Sequence, residues 1–188
     1  MNAFYEFQAA LEETFPSLGQ FSDLNWDTIT QEYISVHESR PQDINDFVFG
    51  FPEFLQAKAQ RNECPPYLFE LAYFELLEMN LMNSEIVLPQ SQGYHLNPTL
   101  SFLNLEFDIS QMLVEASEGK INIIERPHIL CLYHHPQDGL HQVDLENQHL
   151  QLLQRLEDKV IPLNESLSEQ DQDCFHELVD LGLILKIT

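Results

Sequence analysis

The sequence predicts an α+β protein, with an N-terminal helical bundle followed by a small winged-helix-like α+β domain. Three observations carry this. First, the stretch from Cys64 to Met82 opens on two prolines and then repeats Tyr67, Leu71, Phe74, Leu77 and Leu81 at helical spacing. A second stripe, Leu68, Ala72, Leu76 and Met79, leaves little beyond Glu70, Glu75 and Glu78 for water, so this helix belongs at the centre of a bundle. Second, the chain changes character after Asn83: Ile86 to Pro89 is extended, and Gln90 to Asn97 is polar with Gly93 inside it. Third, Ile129 to His135, the turn Pro136-Gln137-Asp138-Gly139, and Leu140 to Leu145 make a hairpin signal.

In chain order, Phe4, Phe7, Leu11 and Phe15 mark a short amphipathic helix ended by Pro16, and a turn follows at Gly19. Trp26, Ile29, Tyr33 and Val36 form the buried face of the next helix, which Arg40-Pro41 stops. Asp43 is placed to cap a third helix through Ile44, Phe47, Val48 and Phe51, interrupted at Gly50-Phe51-Pro52 before a last turn through Phe54 and Leu55. In the second half, Leu100 to Phe107 alternates as a strand, and Ile109 to Ala116 is a short helix ended by Gly119. Leu150, Leu153, Leu156 and Val160 mark a helix after the hairpin, with Pro162 beyond it. Ser168 to Asp171 reads as a capping-box start for a last helix through Phe175, Leu178 and Leu181. Gly182 closes that helix, and Leu183 to Ile187 can return as a strand. The division predicted is 1–84 helical, 85–97 linker and 98–188 α+β. Strand, helix, hairpin and two helices suit a winged-helix-like module, and other small α+β arrangements fit as well.

Charge decides which partners are excluded. Against 31 acidic residues stand 8 basic ones, for a net charge of -23, and the basic residues are scattered singly. A nucleic-acid binder needs clustered Lys and Arg to displace counterions, so nucleic acid is repelled and an anionic membrane disfavoured. A basic protein or peptide would be steered in from a distance, although the acidity also serves solubility. Cys64, Cys131 and Cys174 are odd in number, far apart and set in apolar contexts, which points to core residues rather than disulfides or a zinc site. With no signal-like start and no apolar run of about 18 residues, the reading is a soluble cytoplasmic protein.

Chemistry is hard to find in the sequence. His128, His134, His135 and His141 surround the hairpin, but alternation sends His134 and His135 to opposite faces, and no spacing matches a helix-borne or zinc-finger pair. Neither a metal nor another cofactor is assigned, and a small metalloenzyme built on these histidines ranks third among the functional readings. Phosphate loops, a nucleophile elbow, His-Glu-x-x-His and Cys-x-x-Cys are absent, so nothing nominates a catalytic centre. Only Glu75, set among apolar neighbours, stands out in the central helix.

Several stretches fall in an order that resembles a known bacterial family. They are Phe15-Pro16-Ser17-Leu18, Trp26 to Ile34 followed by His37, Phe51 to Leu55, Leu71-Ala72-Tyr73-Phe74-Glu75, and the hairpin-helix run from Leu130 to Leu156. The family carries the label of a DNA-binding domain. Its members are similar to accessory subunits of multinuclear non-haem iron oxidative enzymes that modify ribosomally made peptides, of the methanobactin accessory-subunit type. The resemblance implies a non-catalytic subunit that binds a TIM-barrel iron enzyme and helps present the precursor peptide, with the iron held by the partner. By that analogy a peptide adds to a sheet edge at the strand from Ile129 through Cys131 to Tyr133, beside the helix face of Phe175 and Leu178. Two departures are visible: the upstream segment that many members carry, usually with a Tyr-Arg pair, is missing or reduced to Tyr5-Glu6, and His134 stands where an arginine is frequent. The alternative from another class is a DNA-binding transcriptional regulator, which the net charge disfavours.

Overall fold

The computed structural model describes residues 3–22, 25–36, 44–135, 137–157, 161–162 and 169–188. Asp43, Val160 and Ser168, which the sequence reading uses as a cap, a helix position and a capping-box start, lie outside them. The first part is helical: α1 (Ala3–Thr14), α2 (Leu18–Phe21), α3 (Trp26–Val36), α4 (Ile44–Phe49), α5 (Phe51–Gln60) and α6 (Tyr67–Asn83). There follow β1 (Gly93–Leu96), β2 (Ser101–Phe107), α7 (Ile109–Ser117), β3 (Glu125–His135), β4 (Gly139–Leu145), α8 (Asn147–Leu156), α9 (Glu169–Asp180) and β5 (Ile184–Ile187). The fold is therefore α+β, with β1 paired to β5 in one small sheet and β2-β3-β4 in another.

The chain forms two compact units, one of residues 1–79 and 105–127, the other of residues 80–104 and 128–188. This differs from the contiguous division at 85–97. Part of that polar stretch is a strand, since Gly93–Leu96 pairs antiparallel with the last strand, Gly93 opposite Ile187 and Leu96 opposite Ile184. Residues 105–127 return to the first unit, where backbone hydrogen bonds and a buried carboxylate hold them.

In the first unit the core is aromatic. Tyr33 packs on Phe47, Phe51 and Phe54 with ring centroids 4.6, 5.2 and 4.9 Å away, and its hydroxyl donates to the Phe47 carbonyl at 2.7 Å. Burial raises the Tyr33 phenol above its ordinary range, with Glu53 adding to the effect. Pro52 does not limit the chain after it to one turn, as the sequence suggests. It sits in the first turn of α5, where a missing N–H costs nothing, and the helix runs on to Gln60. Similarly, the turn expected at Gly19 lies within the short helix α2.

Central helix α6 buries Leu68, Leu71, Ala72, Phe74 and Leu76. It also buries Glu70 and Glu75, which the pattern assigns to water. The Glu70 carboxylate accepts the backbone N–H groups of Glu106 (3.1 Å) and Phe107 (3.1 Å) at the end of β2. From there Asp108 caps α7 by accepting Gln111 N–H at 3.1 Å, donates its own N–H to Ile124 at 2.9 Å, and pairs with Arg126 at 2.7 Å. These contacts close residues 105–127 onto themselves and onto α6.

In the second unit β3 and β4 pair from Ile129 opposite Leu145 to His135 opposite Gly139. Leu130, Cys131, Leu132 and Tyr133 are all buried, so both faces of β3 are covered, as the unbroken apolar run requires. Cys131, Tyr133, Leu152, Leu153, Phe175, Leu178 and Ile184 share one core. The thiols are free, two buried and Cys64 half-buried. Among the described residues no helix is long and apolar enough to cross a membrane.

Candidate functional site

Four of the five residues that the resemblance singles out lie in the interior of the second unit, and Ile129 lies at its margin. Cys131 is fully buried, and burial pushes its thiol up to about 12. Tyr133 is buried too and donates its hydroxyl to the Leu181 carbonyl at 2.5 Å, which ties β3 to the turn after α9. Phe175 packs edge-on against Tyr94 with centroids 5.0 Å apart, and Leu178 is fully enclosed. Ile129 is half-buried and pairs with Leu145. A peptide adding at β3 would need a free edge, yet β3 lies between β2 and β4. The docking position inferred from the resemblance is therefore corrected: Cys131, Tyr133, Phe175 and Leu178 are already used in the core, and in this sheet, among the described residues, the strands with a free side are β2 and β4.

What this core supports is a groove. Leu96, Leu100 and Leu150 pack against the core and also line a cleft of about 400 Å³, with Phe102, Leu153, Gln154 and Glu157 completing its walls. Phe102 is 48% exposed although it is a large aromatic on a strand. The reason is parity: in β2 the inward set is Ser101, Leu103, Leu105 and Phe107, while Phe102 shares the outer set with Asn104 and Glu106. That one apolar residue among polar ones is the sequence signal that points to the groove. Among the described residues no basic side chain lines the cleft, and the exposed Glu157 stands at its rim.

Asn97 also borders the groove, but its polar atoms are occupied. Its Nδ2 donates to the carbonyls of His134 (2.9 Å) and Gly182 (3.0 Å), and its Oδ1 accepts from Thr99 N–H and Oγ1 at 3.0 and 2.7 Å. Thr99 Oγ1 accepts His134 N–H at 2.8 Å, so this corner locks β1, β3 and the turn before β5 together. Asn97 positions the groove and offers it no free donor.

Of the hairpin histidines, the structure brings His135 and His141 together, with ring centroids 5.2 Å apart, and adds Asp138 from the turn. His134 points to the other face, as alternation predicts. His149 is structural: its Nδ1 accepts Glu146 N–H at 3.2 Å, and its Nε2 lies 3.2 Å from Glu177 Oε2, linking α8 to α9.

In the first unit Glu75 accepts Ser17 N–H at 2.9 Å through Oε1, and its buried Oε2 has no hydrogen-bond partner among the described residues. Burial pushes its carboxyl up to about 7. Its environment is apolar and closed, which makes it a tether between α6 and the Phe15–Leu18 corner.

Compared with known proteins, the chain matches no family model and no curated protein sequence.

Proposed function

We propose that the protein is a non-catalytic accessory subunit that binds an extended, net basic peptide along residues 101–104 of β2 and in the adjoining groove. The observation that carries this is the exposed Phe102 on an edge strand, facing a cleft floored by Leu96, Leu100, Leu150 and Leu153. An edge strand supplies main-chain hydrogen bonds, and the cleft supplies a pocket for alternate side chains. The net charge of -23 and Glu157 at the rim favour a cationic peptide over nucleic acid. From the sequence resemblance, the peptide is a ribosomally made precursor and the second partner a multinuclear non-haem iron enzyme that modifies it.

The test compares pull-downs from the source cells with tagged wild-type chain and a Phe102→Asp variant, reading proteins, peptides and iron in the eluates. The wild type is expected to retain an iron-containing enzyme and a short basic peptide, while Phe102→Asp loses the peptide and stays folded. If the wild type elutes without either, or if nucleic acid co-elutes and a duplex titration weakens steeply with salt, the proposal fails and the DNA-binding alternative takes its place.

A further inference from the structure

We infer that His135, Asp138 and His141 form a binding site for a first-row divalent transition cation such as Zn²⁺ or Co²⁺ at the turn end of the β3–β4 hairpin. The register produces the pair: Tyr133 faces His141 and His135 faces Gly139, so His135 and His141 are diagonal neighbours on one face. The turn then folds Asp138 back until its Oδ2 lies 3.0 Å from His135 Nδ1. One ligand atom from each of the three side chains lies within 4.8 Å of the other two. Tetrahedral bonds of about 2.0–2.2 Å would set such atoms about 3.3 Å apart, so closure requires roughly one ångström of movement at an exposed turn.

One ligand is already held in place. A Cβ at Gly182, where φ is +78°, would collide with His135 Cδ2, so the imidazole packs directly on the turn after α9. This restricts the ring much as outer partners orient metal-binding histidines in general. Two imidazoles and one carboxylate suit a borderline cation such as Zn²⁺ or Co²⁺ rather than Ca²⁺ or Mg²⁺, which prefer oxygen ligands throughout. Three protein ligands leave the remaining positions to water. The bland reading is that His135 only caps the turn, since Gln137 N–H donates to its Nδ1 at 3.3 Å.

Titration of the tag-free full chain with Co²⁺, followed by absorbance and calorimetry, separates the two. We expect one Co²⁺ per chain, displaced by Zn²⁺ and unaffected by about a hundredfold excess of Ca²⁺. His141→Ala and the exposed Asp138→Asn should each weaken binding about tenfold or more, while His134→Ala, on the opposite face, should leave it unchanged. Thermal melts of each variant show whether it is folded, and Asp138→Asn decides the matter if His141→Ala is not. Absence of stoichiometric uptake, displacement by Ca²⁺, or wild-type binding in the folded variants would each overturn the site, the last two because surface carboxylates would then hold the ion.

Discussion

Glu75 Oε1 accepts the backbone N–H of Ser17 at 2.9 Å, and hydrogen bonding to Ser17 only partly offsets the desolvation of this buried carboxyl. Because burial raises its folded-state value from 4.5 to about 7, the folded protein binds the extra proton more tightly than the unfolded chain does. The associated stability is present in full below about pH 4.5 and is lost as pH rises through about 7. Glu75→Gln keeps an acceptor for Ser17 and removes the charge. It should leave urea stability at about pH 4 nearly unchanged and raise it at about pH 8 by about 1–3 kcal/mol.

Gly182 and Gly119 both have positive φ, +78° and +80°, but only Gly182 faces a neighbouring side chain. Gly119→Ala should therefore cost about 1 kcal/mol, for the left-handed backbone alone. Gly182→Ala must also displace the His135 ring and should cost about 2 kcal/mol more. Thermal melts of the two variants side by side would measure the difference.

Asn97→Leu removes an amide that serves two carbonyls and two Thr99 donors. Leaving these groups buried and unpaired should destabilise the protein by about 2–4 kcal/mol. Asn97→Asp restores the acceptor for Thr99 and not the two donors, so it should recover only part of that loss in the same melts.

Thiol titration gives an inexpensive check of the core. Burial raises all three thiols, but Cys131 and Cys174 are buried while Cys64 is only half-buried at the entry to α6, so access singles out Cys64. An aromatic disulfide reagent should find one fast thiol in native protein, and all three in denaturant. Loss of the fast thiol in Cys64→Ser would assign it.

Local pattern was enough for most elements. Phe4 to Phe15, Trp26 to Val36, the central helix, the 129–145 hairpin and the returning strand at Leu183 to Ile187 all carry periodicities that depend on near neighbours in sequence. The same patterns mark residues as apolar without saying what covers them. Phe175 and Leu178 read equally well as a peptide-binding face or as core, and only packing shows that they are core. Phe102 is the converse: its parity with Asn104 and Glu106 is legible, and its consequence is visible only once α8 stands beside it.

The sequence by itself determined the α+β class, the α6 centre, the hairpin and the net charge of -23, because these rest on local spacing and on composition. Tertiary structure decided what depends on distant partners. It paired Gly93–Leu96 with the last strand, and it joined Asn97 to Gly182, 85 residues away. It also buried Glu70 against the ends of β2 and brought Asp138 between two histidines. A hydrogen bond between residues far apart in the chain forms only when the whole core closes around it, so no local period can announce it.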